Sequence, residues 1–306
     1  MKSFRKLRKN ILLLSKNNEI DKLDEFGNTL LHNYCAWNYD LRLISLLLEN
    51  GADINKKNNK GNTPLHCICS KHYANYKLIE LLLSHDVNIN EINNDGMNAL
   101  FLVCRHKPDI DIIRLLLENG SKQNLGNDMN VLDIYLTRGN NIEIFKLFLK
   151  YNFRLNTMYL DSCYLIYKLC VKFGINQVIS LIFEYNPDLN LNKQNDFGDT
   201  FLHMICDERD FRIPLEILSL LIDNGLDINI RNNNNYRVLH FICQNGGDSK
   251  IINFFLEHGA EINDEYLSHF VNYRKCVSKV KDKYCKIMLN NTSMATDIFG
   301  LIFDYL

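Results

Sequence analysis

Four histidines in this 306-residue chain are each followed, three residues later, by a cysteine. Imidazole and thiolate are the ligands that zinc prefers, and a histidine beside a cysteine can also activate it as a nucleophile. Neither chemistry is favoured here, because no pair comes with the further ligands or the carboxylate that a metal site or a catalytic triad requires. We predict no metal, no cofactor, no disulfide and no catalytic residue. The pairs are His32 and Cys35, His66 and Cys69, His203 and Cys206, and His240 and Cys243.

Each of these histidines ends a tetrapeptide that recurs along the chain. Its fullest form is Thr63-Pro64-Leu65-His66, and the successive steps between copies are 34, 35 and 32 residues, then 70, which is twice 35, and finally 37. A recurrence of about 33 residues that carries Thr-Pro-Leu-His is typical of ankyrin repeats. The chain is identified as a member of that family. The other copies end at His32, Phe101, Asp133, His203 and His240.

Each repeat consists of a turn followed by two short helices, and its histidine lies near the start of the first helix. Asp or Asn beside Gly opens the turn, Thr caps the first helix, and Pro64 suits the first helical position. A leucine-rich second helix follows and ends at a Gly that suits a left-handed backbone, as in Leu46–Gly51. We therefore predict an all-α solenoid, an ankyrin-repeat array of helix-turn-helix units with β-hairpin fingers.

The chain divides into a partial N-terminal unit, seven repeats and a tail. Leu12–Thr29 aligns with Leu46–Thr63, with Asn17 in place of the helix-ending Gly, so residues 1–25 are interpreted as a half repeat that caps the array. Residues 265–306 are interpreted as a helical C-terminal cap or tail. The seven repeats are predicted at 26–59, 60–94, 95–126, 127–157, 158–195, 196–233 and 234–264.

Repeat architecture accounts for most residues that could otherwise be assigned a chemical role. The histidine ring can bond its own turn and tie neighbouring units together. The cysteine falls at a small, buried position of the first helix, where a free thiol packs as a hydrophobe. We predict that the chain is not an enzyme. The cysteines given this packing role are Cys35, Cys69, Cys104, Cys170, Cys206 and Cys243.

Composition and charge exclude other classes of protein. Hydrophobic residues make up 46% of the chain and the net charge is −1, which argues against disorder and against a nucleic-acid binder. No stretch reaches the roughly 18 apolar residues that span a bilayer. We predict an intracellular protein of the host cytoplasm, or alternatively the nucleus, with no nucleic-acid and no membrane partner. Five basic residues stand at the start of the chain, and we interpret them as the solvated face of a capping helix, with nuclear import or membrane-surface contact as the alternative. They are Lys2, Arg5, Lys6, Arg8 and Lys9.

The Ala-Asp-Ile-Asn turns and the tail resemble the ankyrin-repeat host-range proteins of poxviruses. Cys276–Met288 followed by Asn290–Ser293 is similar to the segment before the F-box-like module of that family, which recruits a cullin ubiquitin ligase. The expected Leu-Pro-x-Glu-Ile opening is missing there, and Ile213–Ile217, which resembles it, falls where a second helix should start. The resemblance implies capture of a host defence protein. The alternatives are a substrate adaptor of a cullin E3 ubiquitin ligase, through residues 265–306, and a truncated fragment of a longer ankyrin gene with little activity.

The predicted function is a non-enzymatic scaffold that binds a host protein through its fingers and the loops between its helices. Trp, Tyr and Arg are the residue types that most often anchor protein interfaces. Several lie at positions that the repeat pattern does not prescribe. The predicted partner contacts are Trp37, Tyr39, Tyr73, Tyr76, Arg209 and Phe211 in the loops, and Asn94, Asp95 and Tyr236 in the fingers.

Overall fold

The computed structural model describes most of the chain up to residue 261. The tail predicted at 265–306, with its alternatives of a capping helix or a ubiquitin-ligase module, lies outside the described residues. The described residues are 2–37, 40–71, 74–123, 130–153, 162–187, 189–207, 213–245 and 249–261.

Fifteen helices occupy the described residues, and no extended strand is assigned among them. Each of the seven predicted repeats contains two of these helices, a first and a second, and α1 precedes them. The helices are α1 (Lys2–Lys16), α2 (Leu30–Ala36), α3 (Leu41–Glu49), α4 (Pro64–Cys69), α5 (Tyr76–Leu83), α6 (Ala99–His106), α7 (Ile110–Glu118), α8 (Val131–Arg138), α9 (Ile142–Lys150), α10 (Ser162–Phe173), α11 (Ile175–Tyr185), α12 (Phe201–Asp207), α13 (Leu215–Asp223), α14 (Val238–Gln244) and α15 (Ser249–Glu257).

Helices of the same kind pack side by side. The chain divides into two compact units, Met1–Leu155 with Leu181–Pro187, and Asn156–Ser180 with Asp188–Leu306. In the first unit, the first helices α2, α4, α6 and α8 form one row, and α1, α3, α5, α7 and α9 form a second row. In the second unit, α12 packs against both α10 and α14. The paired rows of short helices confirm the predicted fold class.

Local sequence explains where the second helices begin and what they bury. Leu43, Ile44 and Leu47 of α3 are at most 2% exposed, and they form the apolar stripe expected of a helix packed on one side. A side-chain oxygen accepts a backbone N–H in the first turn of each second helix of the first unit, which satisfies a donor that the helix itself leaves unpaired. The capping residues are Asp40, Asn75, Asp109 and Asn141.

The fingers are tight turns closed by one asparagine or aspartate. The Asn58 N–H donates to the Asn62 carbonyl at 3.0 Å, and the Asn58 Oδ1 accepts the N–H groups of Lys60 and Asn62, both at 3.0 Å. The side chain therefore takes donors that a longer strand ladder would otherwise pair. This explains why the predicted β-hairpin fingers are hydrogen-bonded turns in the described residues. The equivalent residues of the other fingers are Asp24, Asn93, Asn195 and Asn232.

Consecutive fingers within a unit are joined by backbone and amide bonds. The Asn94 N–H donates to the Lys60 carbonyl at 3.1 Å, and the Asn94 Nδ2 donates to the Asn59 carbonyl at 3.1 Å. Gly61 has a φ of +71°, and a Cβ placed there would lie 2.4 Å from the Asn94 Oδ1. The finger glycine is therefore required both by its backbone angle and by the next finger. The same bonds join Asn59 to the finger of Phe26, and Asn233 to that of Phe197.

One position of the N-terminal half repeat differs from the sequence alignment. The left-handed residue after α1 is Asn18, with a φ of 56°, and not Asn17. Asn17 still donates its N–H to the Leu13 carbonyl at 3.1 Å, as a residue ending a helix does, so the helix runs one residue further than the alignment with Gly51 predicts. α1 packs beside α3, as the second helix of a preceding repeat would.

We expect substitution of two glycines to separate the close contact from the backbone angle. Gly51 has a φ of +85°, and a Cβ added there would have nothing within 4 Å, whereas Gly61 faces Asn94. Gly61→Asn should lower the free energy of unfolding by about 2 kcal/mol or more through overpacking. Gly51→Asn should lower it by less than about 1 kcal/mol, because Asn tolerates the left-handed region. Urea titration followed by circular dichroism measures both, and equal losses would contradict the contact.

Candidate protein-binding surface

The repeated histidines are structural bridges between neighbouring repeats. The His66 Nδ1 accepts the Thr63 N–H at 3.1 Å and lies 2.8 Å from the Thr63 Oγ1, while the His66 Nε2 lies 3.0 Å from the Met97 carbonyl of the next finger. A backbone N–H can only donate and a carbonyl can only accept, so the ring is neutral and carries its proton on Nε2. His32 and His203 repeat this arrangement, with Nε2 at 3.0 Å from the Asn62 carbonyl and 3.2 Å from the Tyr236 carbonyl.

Burial keeps these rings from acting as exposed acids or bases. His32, His66 and His203 are at most 2% exposed, and burial lowers the pKa of each below its ordinary value of 6.5. Both ring nitrogens are already engaged by the backbone, as the sequence predicted. No group of three or more potential metal ligands occurs within the described part of the chain.

In two repeats, a different residue at the Thr position bonds the turn that follows the second helix of the same repeat. Asn98 stands in place of Thr and Phe101 in place of His; the Asn98 Oδ1 accepts the Phe101 N–H at 3.1 Å, and its Nδ2 donates to the Lys122 carbonyl at 3.0 Å. One amide thus both caps α6 and bonds the turn that follows α7 in the same repeat. Arg237, in place of Thr, is 4% exposed, and its guanidinium pairs with Glu261.

The cysteine positions are mostly buried, as predicted. Cys35, Cys69, Cys104, Cys170 and Cys243 are at most 3% exposed. Burial raises the pKa of the Cys170 thiol to about 12 and that of the Cys67 thiol to about 11, so neither is a thiolate near neutral pH. Cys206 differs from the prediction: it lies near the end of α12 and is only half-buried.

A second row of asparagines, which the sequence analysis did not assign, links the turns that follow the second helices. The Asn90 Nδ2 donates to the Gly120 carbonyl at 3.0 Å, and the Asn90 Oδ1 accepts the Lys122 N–H at 2.7 Å. The sequence feature that could have identified this row is the Asn that ends each Ala-Asp-Ile-Asn segment. These amides are therefore part of the scaffold. Asn55, Asn192 and Asn229 make the equivalent pair of bonds.

Two of the predicted loop contacts are strongly exposed. Trp37 ends α2 with 74% of its surface exposed, and the Lys71 Nζ lies 5.6 Å from the centre of its ring. Tyr76, the first residue of α5, is 41% exposed and lines a cleft with Asp109, which caps α7, and with residues of α7 itself. Both side chains belong to the first unit and are therefore accessible to a binding partner. The other predicted loop residues, Tyr39, Tyr73, Arg209 and Phe211, lie outside the described residues.

The predicted finger contacts divide into scaffold and surface. Asn94 is exposed, but its amide bonds the preceding finger, as described above. Tyr236 is half-buried, and its ring lies 6.1 Å from that of Phe241 in an edge-to-face arrangement while its carbonyl accepts the bond from His203. Asp95 is exposed at the finger tip, with its backbone N–H bonded to Asn93. As partner contacts, all three stay predictions.

Two exposed aromatic residues were missed by the sequence analysis. Phe26 is 63% exposed and Phe197 is 73% exposed, and each immediately precedes the left-handed glycine of its finger. Other fingers carry Lys60 or Asp95 at this position. An Asp-x-Phe-Gly or Asn-x-Phe-Gly turn could have identified them, because the residue before the finger glycine lies at the tip. Phe26 belongs to the first unit and Phe197 to the second.

We expect the histidine bridges to make folding stability fall in mild acid. The folded-state pKa values of His32, His66 and His203 are lower than the unfolded value of 6.5, so the unfolded chain binds protons first. Their contribution is complete above about pH 6.5 and decreases as the pH falls from there towards the lowered pKa values. Urea midpoints at pH 7.5 and pH 5.5 measure it, and an unchanged midpoint would contradict neutral bridging rings.

Comparisons with known proteins agree with this architecture. The family model described as "Ankyrin repeats (3 copies)" matches residues 7–91, 68–159 and 168–266. "Putative ankyrin repeat protein L86" of Acanthamoeba polyphaga mimivirus is 31% identical over 143 residues, covering 44% of this chain and 20% of that protein. The chain thus aligns with about a fifth of that relative's length.

A solved structure shows the same fold. The human ASB11 ankyrin repeat domain superposes with a TM-score of 0.52 at 19% identity, covering 77% of this chain and 100% of that one. No helix in the described residues is both long and apolar enough to cross a membrane. The family match, the buried Thr–His bridges and the paired helices agree, and the chain belongs to the ankyrin-repeat family.

Proposed function

We propose that this protein is a non-enzymatic scaffold that captures a protein of the host cell. Ankyrin repeats are protein-interaction modules, and one observation supports a specific surface on this array. Large aromatic side chains are exposed and are not used by the hydrogen bonds between the described repeats, foremost Trp37 at 74% and Phe197 at 73%.

The exposed aromatics of the first unit lie at positions whose residue type the repeat pattern does not prescribe. Phe26 lies at a finger tip, Trp37 at the end of a first helix, and Tyr76 at the start of a second helix. A rigid aromatic ring loses little side-chain entropy when a partner covers it, which is why such residues dominate binding energies. Tyr39 and Tyr73, proposed as further contacts, adjoin Trp37 and Tyr76 in sequence.

The viral relative supports a viral origin, from which a host protein is proposed as the target. A segment of 143 residues aligns with a mimivirus ankyrin protein, in keeping with a viral origin. A viral scaffold with this surface would act by occupying a host factor inside the infected cell, in the cytoplasm or the nucleus. The finer poxvirus resemblance stays a prediction.

Proximity labelling in host cells tests this proposal. The full-length chain should label a small set of proteins, and Phe26→Ala/Trp37→Ala/Tyr76→Ala should reduce that labelling about tenfold or more, since each anchor contributes about 2 kcal/mol. All three side chains are largely exposed, so the thermal unfolding midpoint should stay nearly unchanged.

A matched control changes three exposed residues on second helices. Glu49→Ala/Glu80→Ala/Lys150→Ala removes as many exposed side chains from α3, α5 and α9 and should preserve the labelled set. Labelling that survives the aromatic triple variant, or that both variants lose equally, would refute the assignment of this surface.

A further inference from the structure

The first helix of the chain carries a concentration of unpaired positive charge. The sequence of α1 contains no acidic residue, and the neighbouring repeats do not neutralise its cations. Within the described part of the chain, none of its exposed cations forms an ion pair with a carboxylate. These cations are Arg5, Lys6, Arg8, Lys9 and Lys16.

One side of α1 is held firmly against the first repeat. Ile11 is fully buried, the Ser15 Oγ donates to the Asn50 carbonyl at 3.3 Å, and the Arg42 guanidinium lies 4.7 Å from the centre of the Phe4 ring. The orientation of the helix about its axis is thereby fixed. The opposite side of α1 therefore faces away from the first repeat.

The outward side combines the cations with two exposed leucines. Leu12 is 39% exposed and Leu13 is 57% exposed. At 3.6 residues per turn, Arg5, Lys9 and Lys16 share with these leucines a sector of roughly 100° that lies opposite Ile11. Since the core-facing stripe of α1 is elsewhere, packing within the first unit does not require leucine at these two positions.

We propose that this outward face of α1 docks on the surface of an anionic phospholipid bilayer. The cations would lie at the level of the lipid phosphates, and Leu12 and Leu13 would enter the boundary of the acyl chains. A helix with cations flanking a few apolar residues on one face has the composition of interfacial membrane helices, which lie on a bilayer and do not span it. The proposal favours the membrane-surface alternative for the basic start over the sequence-based expectation that the chain has no membrane partner, and it involves residues other than the exposed aromatics.

The chemistry of the face disfavours other occupants. A second copy of this chain meeting it symmetrically would bring the same cations into opposition. A nucleic acid would satisfy the cations through its phosphates but offers little to the two leucines. An acidic peptide would need a groove to hold it, whereas this face is the convex outside of a single helix. A bilayer satisfies both features at once.

Co-sedimentation of the full chain with vesicles tests the proposal. Vesicles of phosphatidylcholine alone are compared with vesicles that contain phosphatidylserine, at low salt and at high salt. We expect binding to the anionic vesicles only, weakened by salt because exposed charges are screened. Absence of binding to the anionic vesicles at low salt would overturn the proposal.

Three double variants locate the contact. Arg5→Glu/Lys9→Glu should abolish sedimentation, and Leu12→Ala/Leu13→Ala should weaken it about tenfold, because partial burial of two leucines contributes about 1.4 kcal/mol in total. Lys77→Glu/Lys150→Glu makes the same change of net charge at exposed positions of α5 and α9 and should leave binding intact. Circular dichroism confirms that each variant is folded.

Two results would reassign the face. Binding that is unaffected by Leu12→Ala/Leu13→Ala, together with equally tight binding to duplex DNA, would show a general polyanion site and overturn the lipid assignment. Loss of binding in Lys77→Glu/Lys150→Glu to the same extent as in Arg5→Glu/Lys9→Glu would show that net charge, and not α1, controls the interaction.

Discussion

The stacking of the repeats depends on a neutral imidazole held between two consecutive repeats. In the repeats of His32, His66 and His203, one ring nitrogen accepts a backbone N–H of its own turn and the other donates to a carbonyl of the next finger. Because the ring is buried, each bond satisfies a group that would otherwise lose its water without replacement. The histidine must therefore be neutral, the turn must end at a capping residue, and the next finger must arrive at a fixed distance. Repeats cannot bury their apolar faces alone, so this spacing also sets the helix packing.

The same constraint separates scaffold from binding surface. Asparagines that resemble an ordinary polar surface, such as Asn55, Asn90 and Asn94, are engaged with the neighbouring repeat. Aromatic residues that would normally be expected in a core, such as Phe26 and Trp37, are exposed. Polarity alone therefore misassigns both groups. What marks a residue as available to a partner is an exposed side chain that no hydrogen bond between the described repeats uses.

The sequence predicts the scaffold well and the surface less well. The spacing of Thr63 and His66 predicted the bridge and the first helix, and the leucine-rich run predicted the second helix, because these features follow from short-range chemistry that recurs along the chain. Asn90 could not be assigned in the same way, since its partners Gly120 and Lys122 are about 30 residues away and only the stacked fold brings them within reach. Exposure of a phenylalanine such as Phe197 likewise depends on the neighbouring finger. The displacement from Asn17 to Asn18 shows that helix ends are the least certain part of an alignment.

The protonation state of the bridging rings tests most directly whether neutral imidazoles hold consecutive repeats together. Long-range nitrogen–proton correlation spectra of the imidazole groups, recorded near pH 7, distinguish the two neutral tautomers and the charged ring for each histidine. For His32, His66 and His203 we predict the neutral ring with its proton on Nε2 and an unprotonated Nδ1. A proton on Nδ1, in either a neutral or a charged ring, would break the bond from the turn and would contradict the proposed basis of stacking.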